Sequence, residues 1–248
     1  MPTKAIVLVH GFLGFSGVPL TSINYFNGIK NLYEDAGYTV LVPDLSAVGS
    51  IAIRSLRLKT FLQNNLDKYE QFCVIAHSMG GLDMRSVLAE NQAIRAKTKC
   101  LITIATPLFG SPVATAITGD LSVFPRALRK AIKALIPAFI DLEVRKKVRD
   151  VNCGDVEYVE IACKIPKRIR ASKLFAALRL IGHLTDPNDG VVPYHSAFQG
   201  EAPTEVWEVD HGEAIGWPSH VLGLTTVTAA FNPPSGHLER YLGLIQYF

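Results

Sequence analysis

Val74-Ile75-Ala76-His77-Ser78-Met79-Gly80-Gly81 is the stretch on which the reading of this chain turns. β-Branched and apolar residues run into a serine, and two glycines follow at once. A buried strand that must turn sharply into a helix, with a serine at the apex, needs this layout. Small residues two before and two after the serine let neighbouring backbone pass close while the apex takes a strained conformation. The hydroxyl is thereby pushed out of the sheet, toward a base and a substrate. Ala76 stands where the usual pattern has glycine, so the match is to Ala-x-Ser-x-Gly. The plainer alternative is a strand–turn–helix junction with an incidental serine.

Outward from this stretch, apolar runs of strand length recur at 5–10, 39–43, 72–77, 99–105, 156–163 and 205–209. Most are continuous rather than alternating, as expected of parallel strands covered on both faces. The intervals near 20–36, 51–68 and 79–95 carry helical spacing, with Ile53, Leu56, Phe61 and Leu62 read as one face. Alternating strands and helices predict an α/β chain with a doubly wound, mostly parallel sheet and its sites at the strands' carboxyl ends. Residues 1–248 read as a single domain, without internal repeat or low-complexity linker.

One interval breaks the rhythm. Residues 111–150 have no strand signal, and Phe124, Leu128, Ile132, Leu135, Ile136 and Phe139 line one side of an amphipathic middle. Arg126, Arg129, Lys130 and Lys133 lie between them, and Pro137 should break or kink the helix. An insertion after a strand's carboxyl end lies over the site, so 111–150 reads as a helical cap or lid. A shorter helical insertion runs from Ser172 to Ile181.

Composition narrows the class. At 248 residues, with 48% hydrophobic and 19% charged residues, the chain is globular. A formal charge of +3 is too small to argue for nucleic acid. No apolar run approaches the ~18 residues of a membrane span, so no transmembrane segment is expected. Met1-Pro2-Thr3-Lys4 leads straight into a strand-like run with no charged-then-apolar leader. A cytoplasmic protein is therefore expected, or a secreted one if a leader has been trimmed away. Cys73 and Cys100 lie in buried strand-like runs, whereas Cys153 and Cys163 could pair. None of the four has metal-binding spacing, and mostly reduced thiols are expected.

A serine hydroxyl is a poor nucleophile until an imidazole takes its proton, and a carboxylate must fix that imidazole's tautomer. On a sheet with a nucleophile elbow the order is Ser, then Asp or Glu, then His. His10 and His77 precede or abut Ser78, and a histidine beside the serine is expected to point away from it. His183 and His195 flank the acid region, and His237 lies in the closing helical segment. His211 follows the strand Glu205-Val206-Trp207-Glu208-Val209 and precedes Gly212, in a carboxyl-end loop. It is favoured over His220, which Ser219 places in a helix's first turn. Asp189 opens Asp189-Gly190-Val191-Val192-Pro193, where Gly190 permits a tight turn; Asp186 is its rival. The first strand ends Val9-His10-Gly11-Phe12-Leu13-Gly14, so the N–H of Phe12, with that of Met79, is placed to form an oxyanion hole.

The segments Val7–Gly14, Ala76–Gly81, Ile104–Ser111, Asn188–Val192 and Val209–Gly212 resemble the bacterial lipases and esterases of the α/β-hydrolase superfamily. The Ala-His-Ser-Met-Gly elbow is similar to that of small Bacillus-type lipases. The Asn-Asp-Gly-Val context and the Asp189–His211 interval look more like the larger Pseudomonas and Burkholderia lipases. The resemblance implies an α/β-hydrolase fold with Ser78 as nucleophile, Asp189 as acid, His211 as base, and the amides of Phe12 and Met79 as oxyanion donors. It does not reach residues 112–185. Those larger lipases hold a structural calcium partly through an aspartate just after the catalytic histidine. Here Glu213 stands there, with no second calcium carboxylate in view, so no metal site is expected. The usual histidine after Thr-Pro is Leu108.

The expectation is a serine hydrolase, a lipase or carboxylesterase that cleaves lipid-like esters through an acyl-enzyme and needs no cofactor. An acyltransferase with the same triad is the enzymatic alternative; a non-catalytic binding module on the scaffold is the other. The expected partner is an ester or lipid substrate, with transient contact of the cap with a lipid interface. The cap is expected to line the acyl pocket, and interfacial opening is the sharper alternative.

Overall fold

A computed structural model of the chain describes residues 4–12, 25–119, 137–145, 152–165, 173–185, 187–217 and 236–248. All six expected strands are present: β1 Lys4–Val9, β2 Thr39–Leu41, β3 Gln71–His77, β4 Thr98–Ile104, β5 Glu157–Cys163 and β6 Glu205–Trp207. They form one sheet in the order β2-β1-β3-β4-β5-β6, every pair parallel. The chain leaves β1 for β2 on one side and returns to β3 on the other. That reversal opens a crevice at the carboxyl ends of β1 and β3, where ligands bind in open parallel sheets.

The continuous apolar runs follow from burial on both faces. Ala5, Val7 and Val9 of β1 face one layer with Val74, Ala76 and Leu101. Ile6 and Leu8 face the other with Ile75, Cys100 and Ile102. The first layer is closed by α2 (Ile51–Gln63), α3 (Met79–Glu90) and α4 (Gln92–Lys97), through Leu58, Leu62, Met84, Val87 and Ile94. The second is closed by α1 (Ile29–Asp35) and the carboxyl-terminal helix, through Ile29, Tyr33 and Tyr241. Each such side chain contributes roughly 1.5–3 kcal/mol on burial.

Two helical readings need correction. The interval 79–95 is two helices, because Asn91 is extended and its side chain accepts the Ile94 N–H at 2.9 Å, capping α4. The face read on α2 is also wrong: Ile53 and Leu56 are more than half exposed, while Ile51, Arg54, Leu58 and Leu62 are buried. An arginine occupies the inner stripe because Asp83 of α3 meets its guanidinium at 2.8 Å, both side chains being fully enclosed. A charge goes inside only when so paired.

Within 111–150, α5 spans Pro112–Gly119 and residues 137–141 are helical. Phe124, Leu128, Ile132, Leu135 and Ile136 lie outside the described residues, as do His220 and Asp186. Asp141 fastens the described part of the segment to the sheet layer: its carboxylate accepts the Ile51 N–H at 2.6 Å. That amide is one of the donors a helix start leaves without an intrahelical partner. The second insertion is α6 (Lys173–Ile181), and the chain closes on α7 (His237–Gly243). All four cysteines are free thiols. No described helix is long and apolar enough to cross a membrane.

Candidate active site

Ser78 sits between β3 and α3 with φ 54° and ψ −129°, a conformation a non-glycine residue adopts only under constraint. Three bonds impose it. The Ser78 N–H donates to the Ile104 carbonyl at 2.9 Å, and the Ser78 carbonyl accepts from Gly81 N–H at 3.1 Å and Thr106 Oγ1 at 2.9 Å. The flanking glycines are there for space. A Cβ on Gly80 would stand 2.5 Å from the Val9 carbonyl oxygen, and one on Gly81 would stand 2.2 Å from Thr106 Oγ1. A Cβ on Gly11 would stand 2.8 Å from Ser78 Cβ, so the turn after β1 lies directly against the apex. This sets the Gly11–Phe12 turn against Ser78, and Met79, as the first residue of α3, has no intrahelical acceptor for its N–H.

The acid loop is as tightly specified. Asp189 is fully buried, and its Oδ1 accepts the N–H groups of Val191 at 2.9 Å and Val192 at 2.7 Å. Gly190, at φ 97°, makes the turn that closes this ring of bonds. Asp189 Oδ2 is left facing His211 Nδ1 at 2.6 Å, and the Asp189 carbonyl accepts the His211 N–H at 2.9 Å. His211 Nε2 is 3.0 Å from Ser78 Oγ. With Nδ1–H donating to the carboxylate, Nε2 is left as a hydrogen-bond acceptor facing Ser78 Oγ. The structure thus brings Ser78, His211 and Asp189 into one hydrogen-bonded chain, with the Gly11–Phe12 turn and the start of α3 adjoining its serine end.

The residue before His211 is structural. Asp210 Oδ1 accepts from Gly212 N–H at 2.9 Å and Glu213 N–H at 2.8 Å, while Glu213 Oε2 accepts the Asp210 N–H at 3.1 Å. This reciprocal box fixes the loop carrying His211, and it engages the Glu213 carboxylate. Among the described residues no group of three or more His, Cys, Asp or Glu is placed to hold a metal ion.

Three neighbours, Arg54, Phe175 and Tyr25, escaped the sequence reading, and His77 is placed differently from it. Arg54 donates to the His10 carbonyl at 2.6 Å and the Ser46 carbonyl at 2.5 Å, pinning the chain just before the Gly11–Phe12 turn. Phe175 of α6 is buried, with its ring edge-on to His211 at 6.1 Å between centroids. The His77 ring lies 4.5 Å from that of His211 and its Nδ1 is 2.7 Å from Tyr25 Oη. His77 is therefore turned to His211 rather than simply away from the serine. Tyr25 and Phe175 left no local signal, since their partners are distant in sequence. Phe139, read as part of the cap stripe, stacks on Phe12 at 5.0 Å between centroids. Ser78 itself is only 6% exposed.

His10 and His77 are uncharged. Burial, aided by Arg54, pushes His10 down to about 4, against the opposing Gly11 carbonyl and Asp44. Burial and the neighbouring His211 push His77 well below its ordinary value, against the His211 main chain. In the unfolded chain both bind a proton below pH 6.5, whereas the folded His10 does so only near 4. Stability is thus fully present above pH 6.5 and is lost as pH falls from there toward 4. Each histidine contributes a slope of about 1.4 kcal/mol per pH unit. Denaturant unfolding between pH 6.5 and 5 checks this: His77→Phe should remove one of the two slopes, and an unchanged slope would place a charged His77 in the fold.

The chain belongs to the alpha/beta hydrolase family, whose model matches residues 6–229. Among curated proteins it is 29% identical over 211 residues to triacylglycerol lipase 2 of Saccharomyces cerevisiae, covering 80% of this chain and 64% of that one. It is also 29% identical over 139 residues to a triacylglycerol lipase of Pseudomonas fragi, covering 50% of this chain and 47% of that one. It thus spans less than two thirds of each relative's length. Among solved structures, the mature form of a Bacillus licheniformis lipase matches the fold with a TM-score of 0.64 at 22% identity, covering 85% of each chain.

Proposed function

We propose that the protein is a serine hydrolase that cleaves carboxylic esters with lipid-like acyl chains. The observation that carries this reading is the chain Ser78 Oγ–His211 Nε2 at 3.0 Å and His211 Nδ1–Asp189 Oδ2 at 2.6 Å. Ser78 Oγ attacks the ester carbonyl carbon while its proton passes to His211 Nε2. Asp189 stabilises the imidazolium and holds its tautomer, and the N–H groups of Phe12 and Met79 receive the oxyanion. Collapse breaks the bond to the alcohol, which leaves with the proton from His211. Water, deprotonated by His211, then attacks the acyl-enzyme and releases the acid. The names of the two curated relatives, both triacylglycerol lipases, support the ester and lipid class.

A series of p-nitrophenyl esters of increasing chain length tests the reading, and absence of turnover on every member would overturn it. Product analysis with an added alcohol distinguishes hydrolysis from acyl transfer through the same intermediate.

We infer that 111–150 is a cap within a single domain of 1–248 that lines the acyl pocket, with opening at a lipid interface as the sharper alternative. The contact of Phe139 with Phe12 supports this, since it sets a cap side chain against a proposed oxyanion donor. If the cap opens at interfaces, hydrolysis should jump once a triglyceride exceeds its solubility, and replacing Phe124, Leu128 and Phe139 with serine should erase the jump. Smooth saturation across the solubility limit would instead mark an esterase with a standing pocket.

A further inference from the structure

The base must hold its position through two opposite proton transfers. It takes the proton of Ser78, gives it to the leaving alcohol, and repeats the exchange with water. Asp189 grips it at Nδ1 and Phe175 stands edge-on to it at 6.1 Å, but its bond to Ser78 at Nε2 is given up as the reaction proceeds. Misplacement of about 1 Å is enough to cost ~10²-fold in rate, so the ring needs a surface to rest on as well as a grip.

His77 supplies a surface of that kind. Its ring centroid is 4.5 Å from that of His211, the planes inclined at 48°. The side chain is 1% exposed, so its orientation is set by protein contacts. A buried imidazole needs a partner for its polar edge, and Tyr25 Oη provides one at 2.7 Å from Nδ1. The same hydroxyl abuts the turn after β1, where a Cβ on Gly11 would stand 2.7 Å from it. The Tyr25 ring also packs at 5.5 Å on His10 and 5.7 Å on His77. One phenol thus touches the turn that bears Phe12 and the imidazole that abuts His211.

We propose that His77 and Tyr25 are positioning residues for the ester hydrolysis proposed above: the His77 ring is the floor on which the His211 imidazole rests, and Tyr25 ties that floor to the oxyanion turn. The inference rests on the roles given to Ser78 and His211. Tyr25 Oη and His77 Nδ1 share one hydrogen bond at 2.7 Å, Nε2 has no hydrogen-bond partner among the described residues, and the ring stays neutral. Burial and His211 both hold it so. A neutral aromatic ring attracts the imidazolium that His211 becomes, where a charged one would oppose it. Burial also raises the Tyr25 phenol above its ordinary range, so its hydroxyl keeps its proton.

A double-mutant cycle separates this role from ordinary core filling. Tyr25→Phe removes one oxygen and keeps the ring, so folding should be retained, as a melting curve will show. It should lower kcat about 10-fold with KM unchanged, and slow fluorophosphonate labelling of Ser78 equally. His77→Phe keeps a ring against His211 and should stay within about 10-fold of the parent. In that background Tyr25→Phe should have no further effect, because the hydroxyl acts through Nδ1. Equal losses in both backgrounds, an unchanged kcat and labelling rate in Tyr25→Phe, or a loss confined to KM would overturn the proposal. Complete loss in His77→Phe would also overturn it, because the polar edge and not the ring would then be what matters. If Ser78 of the parent protein fails to label at all, the reading of the site itself has failed; if it labels and Tyr25→Phe labels as fast, only the positioning role has.

Discussion

Ser78→Ala is expected to abolish ester hydrolysis, with a loss on the order of 10⁶-fold in kcat, as when the nucleophile of a serine protease is removed. The fold should survive. The bonds that hold the apex, from Ile104, Gly81 and Thr106, all engage the Ser78 main chain rather than its hydroxyl. Alanine keeps the Cβ and so adds nothing to the strain at φ 54°. His211 loses one partner at 3.0 Å but keeps Asp189. Melting temperature should therefore stay near that of the parent protein while turnover of a p-nitrophenyl ester disappears. A fluorophosphonate should label the parent at Ser78 alone. Labelling elsewhere, or activity persisting in the alanine variant, would remove Ser78 from the reaction.

Asp189→Asn should cost about 10⁴-fold in kcat, the size of loss seen when an amide leaves a triad imidazole in the wrong tautomer. The environment dictates which way the amide turns. One oxygen of Asp189 accepts two main-chain N–H groups, from Val191 and Val192. An asparagine must keep its oxygen there and present its NH₂ to His211 Nδ1. The ring proton then moves to Nε2, which can no longer accept from Ser78. Because the loop bonds persist, the variant should fold and still bind substrate, so the loss should fall on kcat with little change in KM. Asp186→Asn should leave turnover near that of the parent. Comparable losses at both positions would reassign the acid.

The sheet was legible because strands buried on both faces are written as continuous apolar runs, and all six stand where those runs do. Ser78, Asp189 and His211 were legible for another reason: the elbow restricts chain order, and Gly190 and Gly212 mark carboxyl-end turns. What stayed hidden depends on pairings between distant segments. Nothing near Arg54 announces that Asp83, on another helix, will draw it inside; periodicity alone turned α2 to the wrong face. The contact of Tyr25 with His77 joins residues 52 apart, with only a tyrosine and a histidine to mark it. Phe175 looks like any apolar residue of an amphipathic helix until α6 is laid against the acid loop.

The glycines around the apex also bear on how this chain tolerates change. At Gly11, Gly80 and Gly81 the space for a first side-chain carbon is already filled by main chain or by a neighbouring side chain. None of the three carries a reacting group, yet each governs how closely two strands' ends and one helix start can approach. A library that randomises the pocket for new substrates has to leave these positions alone and draw its diversity from neighbours such as Phe139 and Phe175. Retargeting the molecule is therefore a matter of altering what surrounds the serine, because the hinge that presents it admits no spare atom.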